Sequence, residues 1–291
     1  MGHLIVVTLL WAFSFSLIGE YLSGQVDSDF AVLSRIVLAG LVFLPFTRWR
    51  GVAPSFIGGL LLAGALQFGI TYLCLYRSFA LLSVPEVLLF TILTPLYVTL
   101  IDDALSRRFN PWALLAAAVA VLGAAIIRYE AVSREFWLGF ALLQVANTTF
   151  AAGQVLYRHM VARYPSELPL YRRFGYFYIG ALAVALPSFL IFGDPQRVPA
   201  TSLQWGVLLW LGLAASGLGM YWWNKGATLV DAGTLAVMNN ALVPAGLLVN
   251  LLLWNREADL ARLALGGGVI LASLWLSRAG HRTERSGKEN S

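Results

Sequence analysis

Apolar residues in this chain run on continuously instead of alternating. Ten stretches of bilayer length follow one another, at 4–23, 30–47, 55–80, 85–101, 111–127, 136–157, 172–192, 203–228, 233–254 and 260–278. A membrane-crossing helix needs about 20 mainly apolar residues, and unbroken apolar runs favour helices over a barrel. The pattern predicts an all-α polytopic membrane protein with ten transmembrane helices and no soluble domain between them. The third and eighth stretches pass through Arg77 and Lys225 almost without a turn into the next helix, so nine or eleven spans remain open there.

The polar positions inside these stretches repeat in order. "LLWAFSFSLIG" (9–19) is matched by "LLQVANTTFAA" (142–152), pairing Trp11 with Gln144 and Ser14 with Asn147. Further along, Arg35 pairs with Arg173, Arg77 with Lys225, and Pro95 with Pro244. Five spans per half is an odd number, so the second half must enter the bilayer from the opposite side. Two inverted five-helix repeats, 1–130 and 131–278, are therefore expected, followed by a cytoplasmic tail, 279–291. In such repeats the substrate site lies near the midplane between the halves.

Composition agrees with the pattern. Apolar residues make up 59% of the 291 and charged residues only 12%, whereas a soluble domain carries about 25% charged residues. That excludes a disordered chain, a coiled coil or an ordinary soluble enzyme. The net charge of +5 would suit nucleic acid only if it were clustered, and it is not. Thirteen lysines and arginines fall on the side of both termini and six on the other, which predicts cytoplasmic termini in a bacterial-type inner membrane. No cleavable leader precedes the first stretch, which reads as a retained span. Cys74 is the only cysteine, and His3, His159 and His281 stand apart, so no disulfide, metal or redox site is expected. There is no P-loop, since Gly266-Gly267-Gly268 has no following Lys, and no cofactor is called for.

The early tryptophan of "LLWAFSF", the arginine opening the second span and the prolines of the fourth and ninth spans resemble the drug/metabolite transporter superfamily. The segments "ALLSVPEVLLFTILTPLYVTL" and "YWWNKGATLVDAGTLAVMNNALVPAGLLVN" are similar to its EamA-type members in particular. The resemblance covers 4–278 as two EamA-like repeats. It implies a ten-helix carrier whose central cavity is lined by spans 1, 3, 4, 6, 8 and 9, moving amino acids, amines, carboxylates, nucleotide sugars or drugs, with export favoured. Members commonly carry a glutamate after the fourth and ninth spans; Glu257 fits in the second half, but Arg108 stands at the matching place in the first.

Polar groups within a bilayer are costly and should face a cavity or a partner. Gln144, Asn147 and Gln154 share one stripe of the sixth span, with Trp11 and Ser14 expected on the opposite wall. Gln67 and Tyr76, with Tyr72, can add polar edges. Pro244 frees a backbone carbonyl at Asn240, beside the amides of Asn239 and Asn240. Arg77 and Lys225 read either as ligands for a substrate anion or as side chains snorkelling to an interface. Arg35 and Glu20 read as a structural ion pair, with Glu20 or Glu86 alternatively carrying a coupling proton. Pro95 and Pro244 are the candidate hinges, and Gly212-Ser216 reads as close packing.

The leading expectation is a secondary transporter for a small polar or amphipathic metabolite, working by alternating access, with proton coupling and a homodimer left open. A membrane-embedded enzyme or flippase for a lipid-linked substrate is the alternative; its only support is the Asp102-Asp103 pair. Replacing Lys225, Asn239 and Asn240 together with alanine is expected to cut transport without lowering expression. Undiminished flux in proteoliposomes would remove them from the site.

Overall fold

A computed structural model describes residues 2–105, 134–164, 168–230 and 232–254, with isolated positions 115, 119, 261, 264, 265, 268, 269, 272 and 275. The described residues form helices and no strands: α1 (Gly2–Leu22), α2 (Ser28–Phe46), α3 (Pro54–Phe79), α4 (Val84–Leu105), α5 (Arg134–Arg163), α6 (Tyr171–Phe192), α7 (Ser202–Ala227) and α8 (Ala232–Leu253). Six of them, α1 to α4, α6 and α7, are long and apolar enough to cross a membrane. The eight helices correspond to spans 1–4 and 6–9 of the hydropathy pattern. The fifth and tenth spans, the 130/131 boundary, Glu257, Arg108 and the tail lie outside the described residues.

The two long stretches are single helices. α3 and α7 each run 26 residues and stop just past Arg77 and Lys225. Ser83 begins α4 with a capping box, accepting at its side chain while Glu86 reaches back to its N–H. Thr201 does the same for α7 with Gln204. Asp27 caps α2 by accepting from the Phe30 N–H at 2.8 Å. α5 reaches 30 residues, longer than its apolar stretch, since Arg158, His159 and Arg163 continue the helix beyond bilayer-like composition.

Three of the helices contain wide π turns: Ile18–Leu22 in α1, Ala65–Ile70 in α3 and Trp210–Gly219 in α7. Such turns are uncommon and concentrate at functional sites. Packing is between α1 and α8, α4 and α5, α2 and α6, α3 and α6, α2 and α7, α3 and α5, and α1 and α7. The outside is apolar, with Leu9, Leu41, Leu190 and Leu248 exposed, whereas Arg35, Gln67, Asn147, Gln154 and Asn224 are buried. This is the inverse of a soluble protein and suits lipid as solvent.

The closest helix crossing is between α3 and α6. A Cβ added to Gly64 would lie 2.0 Å from the Phe177 carbonyl oxygen, and one on Gly180 would lie 1.9 Å from that of Leu61. Backbone meets backbone, so neither neighbour can yield by turning a side chain. Gly180→Ala is expected to cost about 1–3 kcal/mol, the usual cost of overpacking. The check is the melting temperature of detergent-purified protein, which should fall for Gly180→Ala and stay unchanged for Gly58→Ala, where the added Cβ meets nothing within 4 Å.

Candidate functional site

Seven of the eight helices line a central cavity of about 730 Å³, open mouth included. α1 gives Trp11, Ser14, Phe15 and Ile18; α3 gives Thr71, Tyr72 and Leu75; α4 gives Thr91 and Thr94. α5 gives Ala146, Asn147 and Phe150, α7 Met220 and Trp223, and α8 Asn239 and Leu242. These are spans 1, 3, 4, 6, 8 and 9, as the resemblance implied. Span 2 adds one residue, Arg35.

Arg35 is the cavity's charge. Seven residues into α2, it is 3% exposed. Its Nε donates to the Ser216 hydroxyl at 3.0 Å and its Nη1 to the Tyr76 hydroxyl at 3.0 Å. The guanidinium lies 4.4 Å from the Tyr72 ring centroid and 5.5 Å from that of Tyr76. Ser216 in turn donates to the Tyr72 hydroxyl at 3.1 Å, and Tyr178 donates to the Ser216 carbonyl at 2.7 Å. Hydroxyls and ring faces orient the cation, but none neutralises it. No carboxylate stands within ion-pair distance of Arg35 among the described residues, and its Nη2 has no protein hydrogen bond there.

The ion pair expected between Arg35 and Glu20 does not form. Glu20 is exposed, within the π turn that ends α1. Asp29, the other acid of that region, is taken by Arg77, whose Nη2 donates to both of its carboxylate oxygens at 2.9 and 3.0 Å and to Ser188 at 3.3 Å. Arg77 thus ties α3 to α2 and α6 outside the cavity. The Glu86 carboxylate accepts from the N–H and hydroxyl of Ser83 at 2.8 and 2.9 Å, starting α4.

Aromatic residues form another part of the lining. The Trp11 and Trp223 rings lie 4.9 Å apart, and Phe150 stands edge-on to Trp11 at 6.2 Å. The Trp11 Nε1 donates to the Ala215 carbonyl at 3.1 Å, inside the π turn of α7. That turn frees carbonyls from regular α-helical bonding. Trp223 donates to Gln154 Oε1 at 2.8 Å. Both indoles are held by hydrogen bonds and present their faces to the cavity.

Pro95 shapes the polar side. It has no N–H for the Thr91 carbonyl, and the preceding Thr91–Leu93 tightens into a 3₁₀ turn. The freed groups are taken locally: Thr94 donates to the Thr91 carbonyl at 2.7 Å, and Asn147 Nδ2 donates to the Phe90 carbonyl at 2.9 Å. Thr94 also donates to Asn147 Oδ1 at 3.2 Å. Pro244, by contrast, lies exposed within a helix that continues through it.

Of the residues singled out from sequence, Trp11, Ser14, Asn147 and Asn239 line the cavity. Asn239 Nδ2 donates to the Leu235 carbonyl at 3.1 Å. Tyr76 stands behind Arg35. Gln144 stands behind Asn147, its Oε1 accepting from Asn147 Nδ2 at 3.1 Å and from the Tyr97 hydroxyl at 3.2 Å. Gln67 is fully buried against Gly153 and does not line the cavity. Lys225 sits at the end of α7, away from it, and the Asn240 side chain lies outside the described residues.

Arg35 itself was read as a structural residue, and Ser216 as packing. A charge seven residues inside an apolar run, with no acid one turn away on its own helix, was the available signal. No group of three or more His, Cys, Asp or Glu capable of holding a metal occurs among the described residues.

The cavity is thus a desolvated cation, amide and hydroxyl edges, and aromatic walls, with no nucleophile–base pair among the described residues. Comparison with known proteins agrees with a carrier. Residues 2–129 match the EamA-like transporter family. A probable biotin transporter of Pseudomonas aeruginosa is 70% identical over 98% of this chain and 100% of its own length. A biotin transporter of Escherichia coli is 50% identical over 96% of this chain and 93% of its own. Neither name gives an amino acid or amine as substrate, and neither is an enzyme's. A solved crystal structure matches with a TM-score of 0.69 at 19% identity, covering 94% of this chain and 95% of that one, which shows the fold alone. Apolar helices around a cavity, and relatives this close over their full length, make this chain a multi-pass membrane protein and a small-metabolite transporter of the EamA-like transporter family.

Proposed function

We propose that the protein carries biotin across the bacterial inner membrane by alternating access, through ten helices built as two inverted repeats, 1–130 and 131–278, with both termini and the tail 279–291 cytoplasmic. One observation carries the substrate: the Arg35 guanidinium faces the cavity buried and without a carboxylate among the described residues. Breaking a buried pair by removing one partner strongly destabilises a protein, so a cavity that keeps a lone cation is suited to a ligand that brings the anion.

Biotin offers a carboxylate on an apolar chain and, at its other end, a compact ring with a urea's two N–H donors and one carbonyl. Arg35 Nη2 suits the carboxylate. Trp11, Trp223 and Phe150 suit the apolar chain and ring. Asn147, Asn239, Thr91 and Thr94 supply the donors and acceptors a urea needs. The names of the relatives point to the same molecule.

The inverted repeat is supported by how the helices pack. Matching α1–α4 with α5–α8 in order turns the α1–α8 contact into α5–α4, α3–α6 into α7–α2, and α3–α5 into α7–α1, and all six contacts occur. The π turns of α3 and α7 correspond as well. The mobile part would then be the cavity wall at the Pro95 turn, rocking against α8 at Pro244.

Tritiated biotin uptake in proteoliposomes tests the reading. A hydrogen bond to a charged group contributes about 1.5–3 kcal/mol, so Arg35→Gln should cut uptake about 10- to 100-fold, with Arg35→Lys retaining part of it. Biotin methyl ester, which lacks the anion, should compete weakly with biotin in the native protein. Equal competition by acid and ester would defeat the assignment of Arg35. Trp223→Ala should raise the KM for biotin about tenfold, the loss of one buried aromatic contact.

A further inference from the structure

A second buried arginine stands apart from the cavity. Arg173, in the first turn of α6, is 7% exposed, and its Nε and Nη1 are fully buried without a hydrogen-bond partner. Its guanidinium rests 5.4 Å from the Phe56 ring centroid, and no carboxylate is within ion-pair distance among the described residues. The Tyr157 hydroxyl is likewise buried and unpartnered, and its ring packs edge-on at 5.1 Å against Phe177, one turn from Arg173 on α6. A donor pair of this kind, desolvated and unsatisfied, is costly unless something fills it.

Its position relates it to the cavity. Trp223 lies one turn from the end of α7 at the face of the bundle that also holds the start of α3, the end of α5 and the start of α6. Beyond the Trp11–Trp223 contact, toward that face, Gln154 accepts from Trp223 and leaves its Nε2 unpartnered. Gln67 beside it has both amide atoms buried and unpartnered. Tyr157 is one turn further along α5, and Arg173 follows. Unsatisfied polar groups therefore line up from the indole pair to the bundle end. Arg173 is also the residue paired with Arg35 in the internal repeat, and each guanidinium lies over an aromatic ring, Tyr72 for Arg35 and Phe56 for Arg173.

The geometry points to Arg173 and Tyr157 as a second carboxylate site, on the far side of the Trp11–Trp223 contact from Arg35, which takes the substrate's anion when the carrier opens toward the face holding its N-terminus. The inference rests on the biotin reading above. In one state Arg35 holds the anion and the indoles are closed. In the other, the indoles part, the amides of Gln154 and Gln67 become accessible, and Arg173 offers the opposing cation. Two equivalent cations on either side of the gate keep the anion from being held too tightly in one state.

Tritiated biotin flux measured from each side separates the two arginines, using the full chain in intact cells and in everted membrane vesicles. In Arg173→Gln, the biotin concentration for half-maximal flux should rise about tenfold from the N-terminal face, the cost of one charge-assisted hydrogen bond, and stay within about twofold from the other. Arg173→Lys should restore most of the one-sided affinity, which a purely structural arginine would not require. Tyr157→Phe should give a smaller rise on the same side, and it carries the test if Arg173→Gln fails to assemble. Equal affinities on both sides in Arg173→Gln and Tyr157→Phe, with native biotin flux intact, overturn this site and leave the biotin reading standing. Native protein that neither binds nor moves biotin overturns both.

Discussion

Everything around the cavity depends on keeping one guanidinium charged inside a bundle built for lipid. Removing a cation from water costs several kcal/mol even after relaxation, and Arg35 has no fixed anion to offset it. The fold spreads that cost over weak partners: two hydroxyls and two ring faces. Each contributes modestly, and together they fix the guanidinium's direction while leaving an edge unbound. Asp29, in the first turn of the same helix, is held by Arg77 and Ser188. That ion pair joins α2 to α3 outside the cavity.

The polar lining arises from irregular backbone. In a helix within a bilayer every carbonyl is normally used up by its own chain. Pro95 and the π turns interrupt that accounting, and the released groups are met by the Thr94 hydroxyl, the Asn147 amide and the Trp11 indole. Side chains that would be liabilities facing lipid become fixed by carbonyls that would otherwise be orphaned. The Thr94, Asn147 and Trp11 contacts lie beside these irregular turns, whereas Arg35 stands on a regular stretch of α2.

Tight packing and a cavity coexist because they occupy different seams. α3 and α6 meet at Gly64 and Gly180 with backbone against backbone, which leaves no room for a ligand between them. The cavity lies elsewhere, lined by large rings of α1, α3, α5 and α7 (Trp11, Phe15, Tyr72, Phe150 and Trp223) together with residues of α2, α4 and α8.

The sequence alone was enough to show that water is the wrong solvent and where the eight described helices run. Continuous apolar runs and capping residues are local signals, and local physics reads them directly. Trp11, Ser14, Asn147 and Asn239 were legible because a polar or indole group repeated on a helical stripe has few places to go in lipid. Only the tertiary structure decided which inward group reaches the cavity and which stands behind another. Gln144 and Tyr76 serve as supports, and Arg35 faces the cavity instead of pairing with Glu20. Those outcomes depend on which helix lies across from which, at what height and rotation. Periodicity along one chain gives a side chain's face, but its partner is set by packing between segments distant in sequence.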